Sequence, residues 1–183
     1  LDILTAAAPG SPFASPRGSF VAPAHVKKVI CEMGGKNAII VDTSADLDEA
    51  VIGIRHSAFG FQGQKCSACS RIIVVDAEGE DGPHMQTFLR RFVEATRALV
   101  VGDPADGGTD IGPVIDAEAK QKIEHYIAAG KQQSRHELTL EVPPGLEQKT
   151  GRHYVGPTVF SRVKPEHTIA QEEIFGPVVA IIH

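Results

Sequence analysis

Hydrophobic and polar residues change rhythm several times along this chain, and each change predicts an element. β-Branched residues gather at Val29–Ile30 and again from Ala38 to Val41, on either side of Gly34–Gly35. That arrangement predicts strand, glycine turn, strand. The period then lengthens: Leu47, Ala50, Val51, Ile54 and Ala58 recur at helical spacing behind two N-cap candidates, Ser44 and Asp46. Glycines from Gly60 to Gly63 end that helix and present Cys66 in a turn, and the apolar run from Arg71 to Asp76 reads as a buried strand. A second helix is expected over His84 to Leu99, with Phe88, Leu89, Phe92, Val93 and Ala95 as its apolar stripe. A third covers 116–131, with Ala119, Ile123, Tyr126 and Ile127 on one face and Gly130 as a C-cap candidate. "HELTLEV" (136–142) and "VGPTVFSRV" (155–163) read as strands around a turn-rich excursion, and a last strand falls within "EEIFGPVVAIIH" (172–183). Helices alternating with strands define an α/β layer.

The text before Val26 has a different character. Residues 1–25 are rich in Pro, Gly, Ala and Ser with no sustained apolar period, which predicts an irregular arm ahead of a folded portion, 26–183. Composition narrows the class without naming a function. With 42% hydrophobic and 22% charged residues, 183 residues suffice for one domain with a real core, or for a piece of a larger one. A formal net charge of −5 and the lack of any Lys/Arg cluster argue against a nucleic-acid surface. No apolar run approaches the roughly 18 residues of a membrane span, so no membrane contact is expected. The chain starts at Leu1 rather than Met and shows no secretory leader, which suggests a fragment or processed product. Three cysteines, an odd number, fit a reducing compartment, with the cytoplasm (or the mitochondrial matrix in a eukaryote) as the expected location.

Two of those cysteines stand in "GFQGQKCSACSR", Gly60 to Arg71. As a C-x-x-C pair, Cys66 and Cys69 could form a dithiol switch. Redox motifs of that kind open a helix after a strand, however, whereas here the pair follows a helix and precedes a strand. A zinc site needs two further ligands; Cys31 is distant in sequence and the eight histidines show no ligand spacing, so no metal is expected. The remaining option is a lone nucleophile at Cys66, with Lys65 beside it and glycines leaving room for substrate. A thiol near pKa 8.5 is only about a few per cent thiolate at neutral pH, so it needs positive charge or amide dipoles nearby. Against this stands the small buried cysteine that merely fills space. From the loop alone the two readings stand level.

Motifs elsewhere separate them. "EMGGK", with Glu32, lies upstream; "GPTVF" (156–160) and "EEIFGPV" (172–178) follow downstream. In this order around "GQKC" they resemble the aldehyde dehydrogenase superfamily from about Val26 to the C-terminus. Within it, "CEMGGKNAIIVD" and "GFQGQKCSACSR" look most like the 1-pyrroline-5-carboxylate dehydrogenases, which oxidise glutamate semialdehyde to glutamate in proline catabolism. The resemblance implies a portion of the catalytic domain, α/β with a mostly parallel sheet flanked by helices. It implies that Cys66 adds to the aldehyde carbon to form a thiohemiacetal, with its own backbone N–H as one oxyanion donor. The thiohemiacetal then gives hydride to NAD and becomes a thioester, which water hydrolyses with Glu32 as general base. By the same likeness Glu173 holds the nicotinamide ribose, Phe175 packs beside it, and Gly34 belongs to the cofactor side. Lys65 and Ser67, flanking the nucleophile, are candidates to receive the substrate carboxylate.

The family also sets expectations about what lies outside this text. Its members are far longer. Their adenosine- and pyrophosphate-binding strands, the side-chain amide that supplies a second oxyanion donor, the segment that anchors the substrate's α-carboxylate and the oligomerisation strand have no counterpart here. The parent protein is therefore expected to be a homo-oligomer that turns over a small aldehyde with NAD, while the 183-residue chain alone is expected to be inactive. The alternative is a non-catalytic relic or binding module that kept the fold.

Overall fold

The computed structural model describes residues 29–183; the predicted arm, 1–25, lies outside them. By packing the chain divides into two compact units, Leu1–Met33 and Gly34–His183. In the first, Val29 to Met33 form neither helix nor strand. The expected strand at Val29–Ile30 is therefore corrected: both side chains are exposed, and no described strand pairs with them to satisfy their backbone.

The second unit is a five-stranded sheet with helices on both faces. In chain order its elements are β1 (Asn37–Val41), α1 (Leu47–Phe59), β2 (Cys69–Val74), α2 (Pro83–Arg97), α3 (Ala117–Gln133), β3 (Arg135–Thr139), α4 (Leu146–Thr150), β4 (Thr158–Ser161), α5 (Thr168–Gln171) and β5 (Val178–Ile182). The strand order is β1-β2-β5-β4-β3; every neighbouring pair is parallel except β3 and β4. The mostly parallel α/β layer expected from the sequence is what forms.

Burial explains the order. β5, "VVAII", is buried along its whole length and takes the centre. Alternate residues serve opposite faces: Val179 and Ile181 join a core with Phe59, Phe88 and Phe92 of α1 and α2, while Val178, Ala180 and Ile182 join one with Ile123 and Ile127 of α3. The aromatic rings of the first core stack, Phe88 on Phe92 at 5.7 Å and Phe59 on Phe92 at 6.1 Å between centroids. α1 starts where Asp46 accepts the N–H groups of Asp48 and Glu49. The other candidate, Ser44, instead donates its hydroxyl to Asp42.

The structure departs from expectation at Gly130, at the end of β3 and within the excursion. Gly130 is not a C-cap; it lies inside α3, because a Cβ there would sit 2.7 Å from the Phe160 ring. β3 stops at Thr139, after which the Leu140 N–H turns to the Pro157 carbonyl. Within the turn-rich excursion a single helical turn, α4, forms between Gly145 and Gly151, both left-handed (φ 79° and 65°).

Candidate active site

The cysteine turn is built by an unusual backbone. Phe61, Gln62 and Gly63 follow one another at φ 58°, 57° and 66°, a left-handed run that bulky residues rarely adopt. At Gly63 a side chain is also barred by space, since a Cβ would lie 2.3 Å from the Gly176 carbonyl. The reversal throws the chain into a second turn, closed by Ala68 N–H on the Lys65 carbonyl at 3.1 Å, with Cys66 at its second position. Cys66 is exposed. Two side chains hold this turn from outside it. The Asn37 amide donates to the carbonyls of Cys66 (2.6 Å) and Ala68 (3.3 Å), and the Gln64 amide oxygen accepts the Ile115 N–H at 2.9 Å.

Glu173 and Phe175 come to the same place from the loop before β5. The Glu173 carboxylate accepts the Gly35 N–H at 2.8 Å. The two glycines give close passage: a Cβ on Gly34 would meet Glu173 Oε2 at 2.1 Å, and one on Gly35 would meet the Cys66 carbonyl at 2.4 Å. A narrow cleft beside the Cys66 turn is lined by Gly35, Gly63, Lys65, Ala68, Glu173 and Phe175. Phe175, left-handed at φ 58° and 41% exposed, stands between two hollows. One, of about 230 Å³, runs along Asp116 and Lys122; the other, of about 350 Å³, lies against Phe61, Ile115 and Arg152.

Of the residues singled out in the sequence, Lys65, Glu173 and Phe175 line the cleft, Gly34 packs against the Glu173 carboxylate, and Cys66 stands on the adjoining turn. Ser67 is exposed on the turn beside Cys66, and the Lys65 ammonium lies towards Gly60, at the negative end of α1. Glu32 belongs to the other unit, where it is exposed in a stretch without regular structure.

The cysteines separate by environment. Cys69, which opens β2, is 2% exposed and donates to the Arg71 carbonyl, and burial pushes its thiol up to about 11. Of the two cysteines that read as buried fillers, Cys69 is one, and its buried, protonated thiol is a poor half of a dithiol switch; Cys31 is corrected, since it is exposed. Among the described residues no cluster of His, Cys, Asp or Glu could hold a metal ion, and no helix is long and apolar enough to cross a membrane.

Sequence reasoning missed three participants. Asn37 and Gln64 clamp the turn, and a polar side chain directly after "GGK" and a glutamine directly before "KC" were the only hints. The third is Lys36. Its Nζ is buried with no hydrogen-bond partner among the described residues, and desolvation, followed by the charge of Arg71, lowers it from 10.5 to about 8 against the pull of Glu173 and Glu172.

The structure is a mostly parallel α/β layer that presents an exposed cysteine on a clamped turn, beside a cleft lined by a carboxylate and an aromatic ring from the loop before β5. Comparison with known proteins gives the family: the aldehyde dehydrogenase family model matches residues 18–183, and the chain belongs to that family. It is 48% identical over 166 residues to the 1-pyrroline-5-carboxylate dehydrogenase of Geobacillus thermodenitrificans, covering 90% of this chain and 30% of that protein. The Staphylococcus epidermidis protein of the same name is 43% identical over 157 residues. Among solved structures, the Thermus 1-pyrroline-5-carboxylate dehydrogenase with bound NAD superposes with a TM-score of 0.70 at 44% identity, over 82% of this chain and 27% of that one. Proline utilization A from Bdellovibrio bacteriovorus superposes at 0.75 with 40% identity, over 92% and 16%. The chain spans about 30% of the length of the relatives it matches.

Proposed function

We propose that this chain carries the nucleophile and part of the cofactor surface of an NAD-dependent aldehyde dehydrogenase acting on glutamate semialdehyde, the ring-opened form of 1-pyrroline-5-carboxylate. The observation that carries the reading is the exposed Cys66 on a turn pinned beside the Glu173–Phe175 cleft. The names of the relatives support the substrate, and the NAD-bound Thermus structure supports the cofactor.

The residues present fit a nicotinamide riboside. Gly34 and Gly35, lacking a Cβ, let the backbone pass close against the Glu173 carboxylate and the Cys66 carbonyl; Glu173 has Oε2 as a second acceptor while Oε1 takes the Gly35 N–H; and Phe175 offers an exposed ring. Glu173 would hold the ribose and Phe175 would flank the ring. Bound there, the nicotinamide supplies a two-electron acceptor.

The chain's own part begins at sulfur. The Cys66 thiolate attacks the aldehyde carbon, the carbonyl π pair moves to oxygen, and the Cys66 N–H at the second position of its turn is a donor to that oxyanion. One such donor is typically worth about 3 kcal/mol of barrier. After oxidation the acyl group remains on sulfur as a thioester. Glu32 then takes a proton from water as the new C–O bond forms and the thiolate leaves. Lys65 and Ser67 flank the sulfur and receive the substrate's carboxylate. The cytoplasm is the expected site of this chemistry.

A chimera tests the proposal: these residues replace the matching 166-residue segment of the Geobacillus thermodenitrificans relative. NADH should form from glutamate semialdehyde, and Cys66→Ser should abolish it. Glu32→Gln should still acylate but stall before hydrolysis. Undiminished turnover in the Cys66→Ser chimera would remove the mechanism.

A further inference from the structure

The clamp on the cysteine turn has a geometry that ordinary turn stabilisation does not need. β1 and β2 pair in register from Ala38↔Arg71 to Val41↔Val74, but Asn37 faces Cys69, so Ser70 is an extra residue on β2. This is a β-bulge, a device that bends a strand and re-aims the side chain at the break. Here it lies at the N-terminal end of β1, and the Asn37 side chain turns back onto the cysteine turn. A primary amide nitrogen carries two hydrogens. Asn37 uses Nδ2 on two carbonyls of the same turn, Cys66 at 2.6 Å and Ala68 at 3.3 Å. Gly35 makes the approach possible, since a Cβ there would stand 3.1 Å from Nδ2 and 2.4 Å from the Cys66 oxygen. With the Cys66 and Ala68 carbonyls held, the Cys66–Ser67 peptide and the C-terminal end of the turn are held too.

We propose that Asn37 is a positioning residue for Cys66: it fixes the turn so that backbone N–H groups stabilise the thiolate and the developing oxyanion. The inference rests on reading Cys66 as the nucleophile. It requires a donor pair at position 37. An aspartate, equal in shape but acceptor-only, would set a negative charge against two carbonyl oxygens, whereas alanine would simply release the turn.

The test follows iodoacetamide alkylation of Cys66 by peptide mapping against pH, in the 183-residue chain and its Asn37→Ala and Asn37→Asp variants. Melting temperature and protection of Cys69 are measured in parallel. In the parent, Cys66 should react fastest of the three cysteines. In the variants the midpoint of the pH profile should rise, with the neutral-pH rate falling about threefold in Asn37→Ala and about tenfold in Asn37→Asp, the latter equal to one pH unit. Cys69 should stay protected in both. A midpoint and rate within twofold of the parent in Asn37→Ala overturns the proposal, as does a loss that appears only together with exposure of Cys69, which would mark a purely structural role. Should Asn37→Asp not fold, Asn37→Ala and Asn37→Ser decide by the same criteria. Slow alkylation of Cys66 in the parent overturns the nucleophile reading instead, and the variant-to-parent ratio still judges Asn37.

Discussion

The backbone N–H of Gly35 donates to the Glu173 carboxylate at 2.8 Å, joining the approach to β1 with the approach to β5 across 138 residues of sequence. Gly35 is thereby packed between two functional groups, with Glu173 on its N–H and the Cys66 carbonyl where its side chain would be. Gly34 meets only the carboxylate end of Glu173. A side-chain tip can swing away, whereas a turn carbonyl cannot. Gly35→Ala should therefore cost about 1–3 kcal/mol and slow alkylation of Cys66. Gly34→Ala should leave that alkylation near the parent rate and displace Glu173 instead. Thermal melts with site-resolved labelling check the contrast, and equal labelling defects in both variants would refute it.

Cys69 makes a second prediction through its raised thiol pKa. In the unfolded chain the thiol ionises near its ordinary 9.0, but in the fold only near 11. Between those values the folded state binds more protons than the unfolded one, so this group's effect on stability is absent below about pH 9 and turns destabilising as pH rises towards 11. Cys69→Ala lacks that effect. Its deficit relative to the parent, set by the lost packing at lower pH, should shrink between pH 9 and 11 in denaturant titrations. A deficit flat across that window would contradict the desolvated thiol.

The three long helices and the central strand were legible because their signals are local or saturated. Asp46 and Asp116 cap where short acceptor side chains precede helical periods, and "VVAII" could only be buried. Val29–Ile30 misled because two β-branched residues carry propensity but no pairing partner, and pairing decides strands. Cys66, Glu173 and Phe175 were found through motif likeness, not spacing. Asn37 escaped because its role comes from a bulge in β2, which pattern reading on β1 does not register. Lys36 escaped because a lysine after two glycines looks solvated, and only the folded chain shows its ammonium buried.

Gly130 tests whether packing outweighs helix propensity. In an exposed helix, Gly→Ala gains roughly 1 kcal/mol. Here the added methyl would fall 2.7 Å from the Phe160 ring, which is itself fully buried between α3 and the sheet. Gly130→Ala should therefore destabilise, by about 1–3 kcal/mol, despite the better helix former. Paired with Phe160→Leu, which removes the ring, the alanine should be tolerated. Equal penalties in the single and double backgrounds would show that the ring is not the obstacle.

Lys36 gives the sharpest pH dependence, and its sign is opposite to that of a lysine in a salt bridge. Its ammonium is desolvated and lies near the guanidinium of Arg71, so the folded chain releases the proton near pH 8, while the unfolded chain keeps it to about 10.5. Between these values the unfolded state binds more protons, so stability rises with pH through the window. Lys36→Met keeps the length of the side chain without the charge. It should be more stable than the parent at pH 7, and the gap should close by up to about 3 kcal/mol as the pH passes through the window. Lys36→Arg, which cannot release its proton, should be the least stable of the three and should show no recovery at high pH. Denaturant melts of the three chains from pH 7 to 10.5 read this directly. A parent curve running parallel to that of Lys36→Met would mean that the ammonium is hydrated rather than enclosed.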